Sequence, residues 1–140
     1  RPGDGYVYGS HLFSLYDWGD FFEGLIGPNH SKRLSYYAFR MGIRALQGGK
    51  PVLNMNIKGS PISAIATLDD METVNLLLIN DSEQIKQISL DLADFNLRKG
   101  IVQAFGARSL DNYWGEVTVA SGIAGFSVPA QTAVLINFSS

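Results

Sequence analysis

His11-Leu12-Phe13-Ser14-Leu15-Tyr16-Asp17-Trp18-Gly19-Asp20 is the stretch on which the fold turns. An apolar run suited to a strand over His11–Tyr16 ends abruptly in Tyr, Asp, Trp and Gly. A loop rich in glycine and aromatic residues follows, from Asp17 to Gly27. Pro28-Asn29-His30-Ser31 then opens a helix, with Asn29 or Ser31 placed to accept hydrogen bonds from its first free N–H groups. Leu34, Tyr37, Ala38, Met41 and Ala45, joined by Tyr36, Phe39, Ile43 and Leu46, cover more than half its circumference. That pattern predicts burial of a wide face. Gly48-Gly49 and Pro51 stop the helix. One strand and one helix ahead of an all-β array read as the tail of one fold joined to the whole of another.

Beyond Pro51 the period changes from helical to two. Leu53, Met55 and Ile57 alternate with Asn54 and Asn56, and Ile62, Ala64, Ala66 and Leu68 alternate with polar or small residues. Val74–Ile79 reads as an apolar run suited to a central strand buried on both faces. Ile88–Leu92, Ile101–Arg108, Glu116–Ala120, Ile123–Val128 and Ala133–Phe138 complete eight strands. The breaks carry turn residues: Gly59-Ser60-Pro61, Asp69-Asp70, Asn80-Asp81-Ser82, Gly100, Asp111-Asn112, Gly122 and Pro129. Short strands with turns at near-regular spacing predict an antiparallel, immunoglobulin-like β-sandwich of eight strands.

Composition narrows the function classes. The 140 residues carry a formal net charge of −2 and no basic block, which argues against nucleic acid as a partner. The absence of cysteine excludes disulfides and thiolate metal sites. No run approaches the ~18 apolar residues that a membrane-spanning helix needs, and the compartment stays open. Searches for a nucleophile triad, a glycine-rich phosphate loop and a P-loop come up empty.

Tyr16-Asp17-Trp18-Gly19, then Gly24-Leu25-Ile26-Gly27, then Lys32-Arg33-Leu34-Ser35-Tyr36-Tyr37-Ala38-Phe39-Arg40 resembles the last strand–helix unit of a (β/α)8-barrel glycoside hydrolase. In such enzymes that helix runs directly into a C-terminal β-sandwich, and Val128-Pro129-Ala130-Gln131-Thr132-Ala133-Val134-Leu135-Ile136 is similar to the sandwich's last strand. The resemblance implies a barrel remnant over 1–50 and a sandwich domain over 51–140 that buttresses the catalytic barrel. It also implies that the catalytic pair of carboxylates, one acid/base and one nucleophile, lies upstream. None of Glu23, Glu72, Glu83 and Glu116 stands in the required context, so the chain carries no catalytic residue and is expected to be inactive alone. No cofactor is implied. The implied partners are the upstream barrel and an oligosaccharide, with self-association through exposed barrel-strand edges; nucleic acid and membrane are not among them. The competing class is a free-standing carbohydrate-binding or adhesion module.

Several residues bear on these readings. By the resemblance, Tyr16, Asp17 and Trp18 form part of a sugar subsite at the C-terminal end of a barrel strand; alternatively, Trp18 packs beneath its own loop. Tyr113-Trp114 offers an aromatic platform, or else caps the core. Asp17, Asp20 and Glu23 lack the ordered oxygen-rich pattern of a calcium loop and read as a solvated acidic loop. His11 and His30 are too few and too far apart for a metal cluster. Asn29-His30-Ser31, Asn80-Asp81-Ser82 and Asn137-Phe138-Ser139 match the glycosylation sequon, a frequent coincidence without secretory context.

Overall fold

The computed structural model describes residues 34–45, 49–56, 62–69, 72–106 and 109–140. The chain divides into two compact units, Arg1–Tyr36 and Tyr37–Ser140, and the eight strands among the described residues belong to the second. One helix, α1 (Leu34–Ala45), precedes β1 (Val52–Leu53), β2 (Ser63–Asp69), β3 (Thr73–Asn80), β4 (Lys86–Asp91), β5 (Lys99–Gly106), β6 (Ser109–Ala120), β7 (Ile123–Val128) and β8 (Thr132–Ser139). Each of the eight strands expected after Pro51 has its counterpart, and the strand expected over His11–Tyr16 lies outside the described residues. β1 is shorter than the alternation of Leu53, Met55 and Ile57 predicts, because only Val52 and Leu53 pair with β2.

All pairs are antiparallel, and hydrogen bonding joins them in one sheet of order β1-β2-β3-β8-β5-β6-β7-β4. β6 produces the layering. It pairs with β5 from Ser109 to Thr118, while only Val119 and Ala120 pair with β7. The β7–β4 ribbon therefore hangs from the tip of β6 and folds back over the sheet. Ala124 and Val128 of β7 join Leu76 and Leu78 of β3 and Val134, Ile136 and Phe138 of β8 in one core. What the sequence suggested as an immunoglobulin-like pair of sheets is a mainly β unit in which one eight-stranded antiparallel sheet curls onto itself. The difference arises because strand order depends on contacts between distant residues, whereas alternation reports only which face of each strand is wet.

Ala124, Val128, Val134, Ile136 and Phe138 are fully buried. Each of the larger side chains among them contributes about 1.5–3 kcal/mol of hydrophobic stabilisation, opposed by the entropy of ordering the chain. Gly100, read from sequence as a turn residue, instead lies within β5. A Cβ there would stand 2.6 Å from Ile136 Cγ2 and 2.7 Å from the Phe138 ring, so the missing side chain is what lets β5 lie under that ring. Asp111 and Asn112, also read as a turn, lie within β6. The ladder accommodates them with irregularities: Val102 pairs with Gly115 and Gln103 with Tyr113, while Ala104 pairs with Asn112 and Phe105 with Leu110. Trp114 and Asp111 are the residues skipped, as in β-bulges. The Gly122 turn is where sequence placed it. Ser121 and Gly122 both have positive φ (51° and 78°), the signature of a tight two-residue hairpin loop between β6 and β7.

On the outer face of the sheet, α1 sets Met41 and Ala45 against Leu135, with Leu77, Phe105 and Ala133 around them. The 4-residue spacing puts both buried side chains on one stripe. Ile43, on the other side of the helix, is 56% exposed. Leu34, Tyr37, Ala38, Phe39 and Leu46, the rest of the wide face that the composition predicts, lie outside the described side chains. Thr67 Oγ1 of β2 donates to the carbonyl of Ala45 at 2.9 Å, satisfying one of the free carbonyl groups at the helix end.

Candidate functional site

The outer face of the sheet changes character along the strands. In one cross-strand row Ile65, Leu77, Leu135 and Gln103 are register partners, and its two leucines lie beneath the helix. Two residues further along the strands, the parallel row reads Thr67, Asn75, Asn137 and Ile101. Side chains two apart share a face, so this polar row continues the same surface past the end of α1. There it forms the floor of an open cleft of about 400 Å³. Arg44 from the last turn of the helix, Lys50 from the segment after it and Asp69 at the end of β2 complete the lining.

Most of these polar groups hold one another. Lys50 Nζ lies 2.6 Å from Asp69 Oδ2, with both side chains partly buried. Arg44 Nη1 donates to Gln103 Oε1 at 2.8 Å. Asn137 Nδ2 donates to Asn75 Oδ1 at 2.6 Å across the β3–β8 ladder. Pro51 accepts a hydrogen bond from the Leu68 amide at 3.0 Å, which fixes the segment carrying Lys50 alongside β2. The side chains at the floor stand on central strands, so their positions are set by the ladder rather than by a loop. The cleft is a rigid surface of amide, guanidinium, ammonium and carboxylate groups with Ile101 and Leu135 as its apolar part. Chemically it can exchange several directional hydrogen bonds with a hydroxylated ligand. Among the described residues no group of three or more His, Asp or Glu stands close enough to hold a metal ion, and no helix is long and apolar enough to cross a membrane.

Tyr16, Asp17 and Trp18 lie outside the described residues, as do His11, Asp20, Glu23 and His30. Tyr113 and Trp114 belong to β6, where Tyr113 pairs with Gln103 and Trp114 is the skipped residue. Of the sequons, Asn80 is wholly buried and engaged by its amide in five hydrogen bonds. Asn137 is a cleft residue. Sequence reading missed the cleft because it took Val74–Ile79 as apolar throughout. Asn75 interrupts that run one residue after its start, and Asn137 interrupts the run of β8 opposite it. A polar residue at matching depth in two adjacent buried strands was the signal available.

No family model matches this sequence, and no curated protein matches it. Solved structures do resemble it. A glycoside hydrolase family 30 subfamily 8 xylanase from Clostridium acetobutylicum superposes with a TM-score of 0.75 at 14% identity, covering 84% of this chain and 31% of that one. A family 30 endoxylanase from Clostridium papyrosolvens gives a TM-score of 0.76 at 11% identity, over 84% and 31% of the respective chains. A family 44 endoglucanase from Clostridium thermocellum gives 0.52 at 23% identity, over 56% of this chain and 16% of that one. The chain spans under a third of the length of these structures. At such identities the likeness is one of fold: the curled antiparallel sheet is shared with part of each of these glycoside hydrolase structures.

Proposed function

We propose that this chain is the C-terminal part of a glycoside hydrolase, with residues 51–140 as a β-domain that buttresses a catalytic barrel and residues 1–50 as the barrel's last strand and helix. The observation that carries this reading is the match of 84% of this chain to only 31% of a xylanase of family 30. The packing of α1 on the outer face of the sheet supports it further, since a helix entering an all-β unit and burying Met41 and Ala45 there couples the sheet to whatever precedes the helix. On this reading the carboxylate pair for retaining hydrolysis lies upstream. Tyr16, Asp17 and Trp18 then line a sugar subsite only when the barrel surrounds them, and the barrel is the principal partner of this chain.

The test compares two proteins on xylan and on β-glucan: the 140-residue chain, and the same chain preceded by all that its reading frame encodes upstream. Release of reducing ends by the longer protein alone supports the assignment. Hydrolysis by the 140 residues alone refutes the buttress role, and a longer protein that leaves both polymers intact refutes the glycosidase assignment.

A further inference from the structure

Asn75 is nine-tenths buried, and only one end of its amide is used. Its Oδ1 receives Asn137 Nδ2 at 2.6 Å. Among the described residues its own Nδ2 donates to nothing, the Asn137 Oδ1 accepts from nothing, and the Gln103 Nε2 donates to nothing. Rotating both asparagine amides about their last bonds exchanges the roles without removing the unused ends, and rotating one alone sets like atoms against each other. Buried polar groups in folded proteins are almost always paired, and an unpaired one calls for a partner. Here the unused donors and acceptor all border the same cleft, on neighbouring strands β3, β8 and β5.

We infer that the cleft is a binding site for a small polyhydroxylated ligand, a sugar unit or polyol, distinct from any barrel subsite. The chemistry favours that class. A hydroxyl both donates and accepts, so one hydroxyl can receive the Asn75 amide while giving its own proton to Asn137 Oδ1, and its neighbour on the next carbon can receive Gln103 Nε2. The Lys50–Asp69 pair at the edge offers a further donor and acceptor in fixed positions. Ile101 gives an apolar patch for ring C–H groups beside the amide row. The cleft's ~400 Å³ falls in the roughly 300–1,000 Å³ range of small-molecule sites. Asn137 is open to solvent and Gln103 half-buried, whereas Asn75 keeps only 9% of its surface exposed, so a solvated polar face accounts less well for its amide than for theirs. The inference stands on the geometry of the cleft and does not require the proposed glycosidase parent.

The experiment is a ¹⁵N–¹H correlation titration of the full 140-residue chain with glucose, xylose, cellobiose and xylotetraose, read at the side-chain amide resonances of Asn75, Gln103 and Asn137. Saturating shifts at these resonances are expected with at least one probe. Asn137→Ala should then weaken binding by roughly threefold to tenfold, as loss of a hydrogen bond does, while Glu83→Gln should leave it unchanged. Asn137 is exposed, so its truncation opens no cavity in the core; Asn75→Leu, which replaces the amide with apolar carbon of the same branching and leaves no buried amide unpaired, serves as a second variant and should weaken binding likewise. Tighter binding of the tetrasaccharide identifies a polymer chain as the source, and equal binding of the monosaccharides identifies a free sugar; both support the site. Absence of shifts with all four probes overturns it, as do shifts unaffected by Asn137→Ala. A site that binds in a chain whose upstream-extended form hydrolyses nothing would leave this inference intact and remove the glycosidase assignment.

Discussion

Replacing Asn80 tests whether a single amide holds the two layers of the curled sheet together. Asn80 ends β3 and has no exposed surface. Its Nδ2 lies 2.8 Å from the Gln84 carbonyl, 3.1 Å from that of Val128 and 2.9 Å from that of Pro129. Its Oδ1 accepts from the Ser82 amide at 3.1 Å and from the Ser82 hydroxyl at 2.7 Å. The side chain thus ties β3 to the β3–β4 loop and to the end of β7. In Asn80→Ala the bond to Val128 is lost from a buried position, and stranding that carbonyl costs about 1–3 kcal/mol; the partly buried partners recover water and add roughly 1 kcal/mol more. The expected loss is about 2–4 kcal/mol, which for a domain of this size lowers Tm by very roughly 5–15 °C. Asn80→Asp should be worse at pH 7, because it turns a carboxylate toward three carbonyl oxygens. Burial and those oxygens raise the folded pKa above the ~3.9 of an unfolded aspartate. Stability that depends on the protonated form is then present below pH ~4 and is lost as pH rises through the folded value. Urea melts of both variants at several pH values read the difference, with Asn80→Ala as the reference that cancels acid effects elsewhere. Asn80→Ala within about 0.5 kcal/mol of the parent, a margin typical of surface changes, would refute the tie. So would Asn80→Asp matching or exceeding Asn80→Ala at pH 7.

Substitutions at three further places probe separate features. Gly100→Ala places a methyl group 2.6 Å from Ile136 Cγ2 and 2.7 Å from the Phe138 ring, and overpacking of that kind should cost about 1–3 kcal/mol in a urea melt; a neutral result would mean β5 can shift away from β8. Gly122→Ala meets Ala93 Cα at 2.9 Å with φ at +78° and should destabilise by over 1 kcal/mol, on the order of the left-handed penalty alone. Ser121→Asn at the neighbouring positive φ should instead raise Tm slightly, since Asn-Gly suits this hairpin loop. Thr67→Val keeps the shape but removes the donor to the Ala45 carbonyl, at about 1–2 kcal/mol, whereas Thr67→Ser keeps the donor; equal melting of the two would show that the hydroxyl does not cap the helix.

How much of this was legible follows from what each signal measures. The eight strands were readable because alternation is local, and Ile88–Leu92 or Ile123–Val128 needs only its own residues to declare a face. Two glycines diverged for the same reason. Gly122 was readable as a turn because its conformational freedom is used within two residues. Gly100 was not, because its role is to leave room for Ile136 and Phe138, thirty-six and thirty-eight positions away. Asp111 and Asn112 looked like a turn since bulges draw on the same small polar residues that turns do. The curl could not be read at all, for it depends on β6 changing partner from β5 to β7 at Val119.

The cleft lies between these cases. Nothing in Asn75 alone distinguishes a polar interruption from a wet edge, and nothing in Asn137 does so either. Their meaning comes from the register that sets them side by side and from a helix that ends one row short of them. Extending α1 by a turn would bury both amides against apolar carbon and leave their unused ends without partners, at a cost of about 1–3 kcal/mol each. Gly49, four positions after Ala45, has φ at +81°, which a continuing helix does not allow, and it precedes β1. The polar row and the helix stop are therefore two halves of one arrangement. The sheet is apolar as far as the helix reaches, and hydrogen-bonding where it does not, which is what an open site on the face of a packed sheet requires.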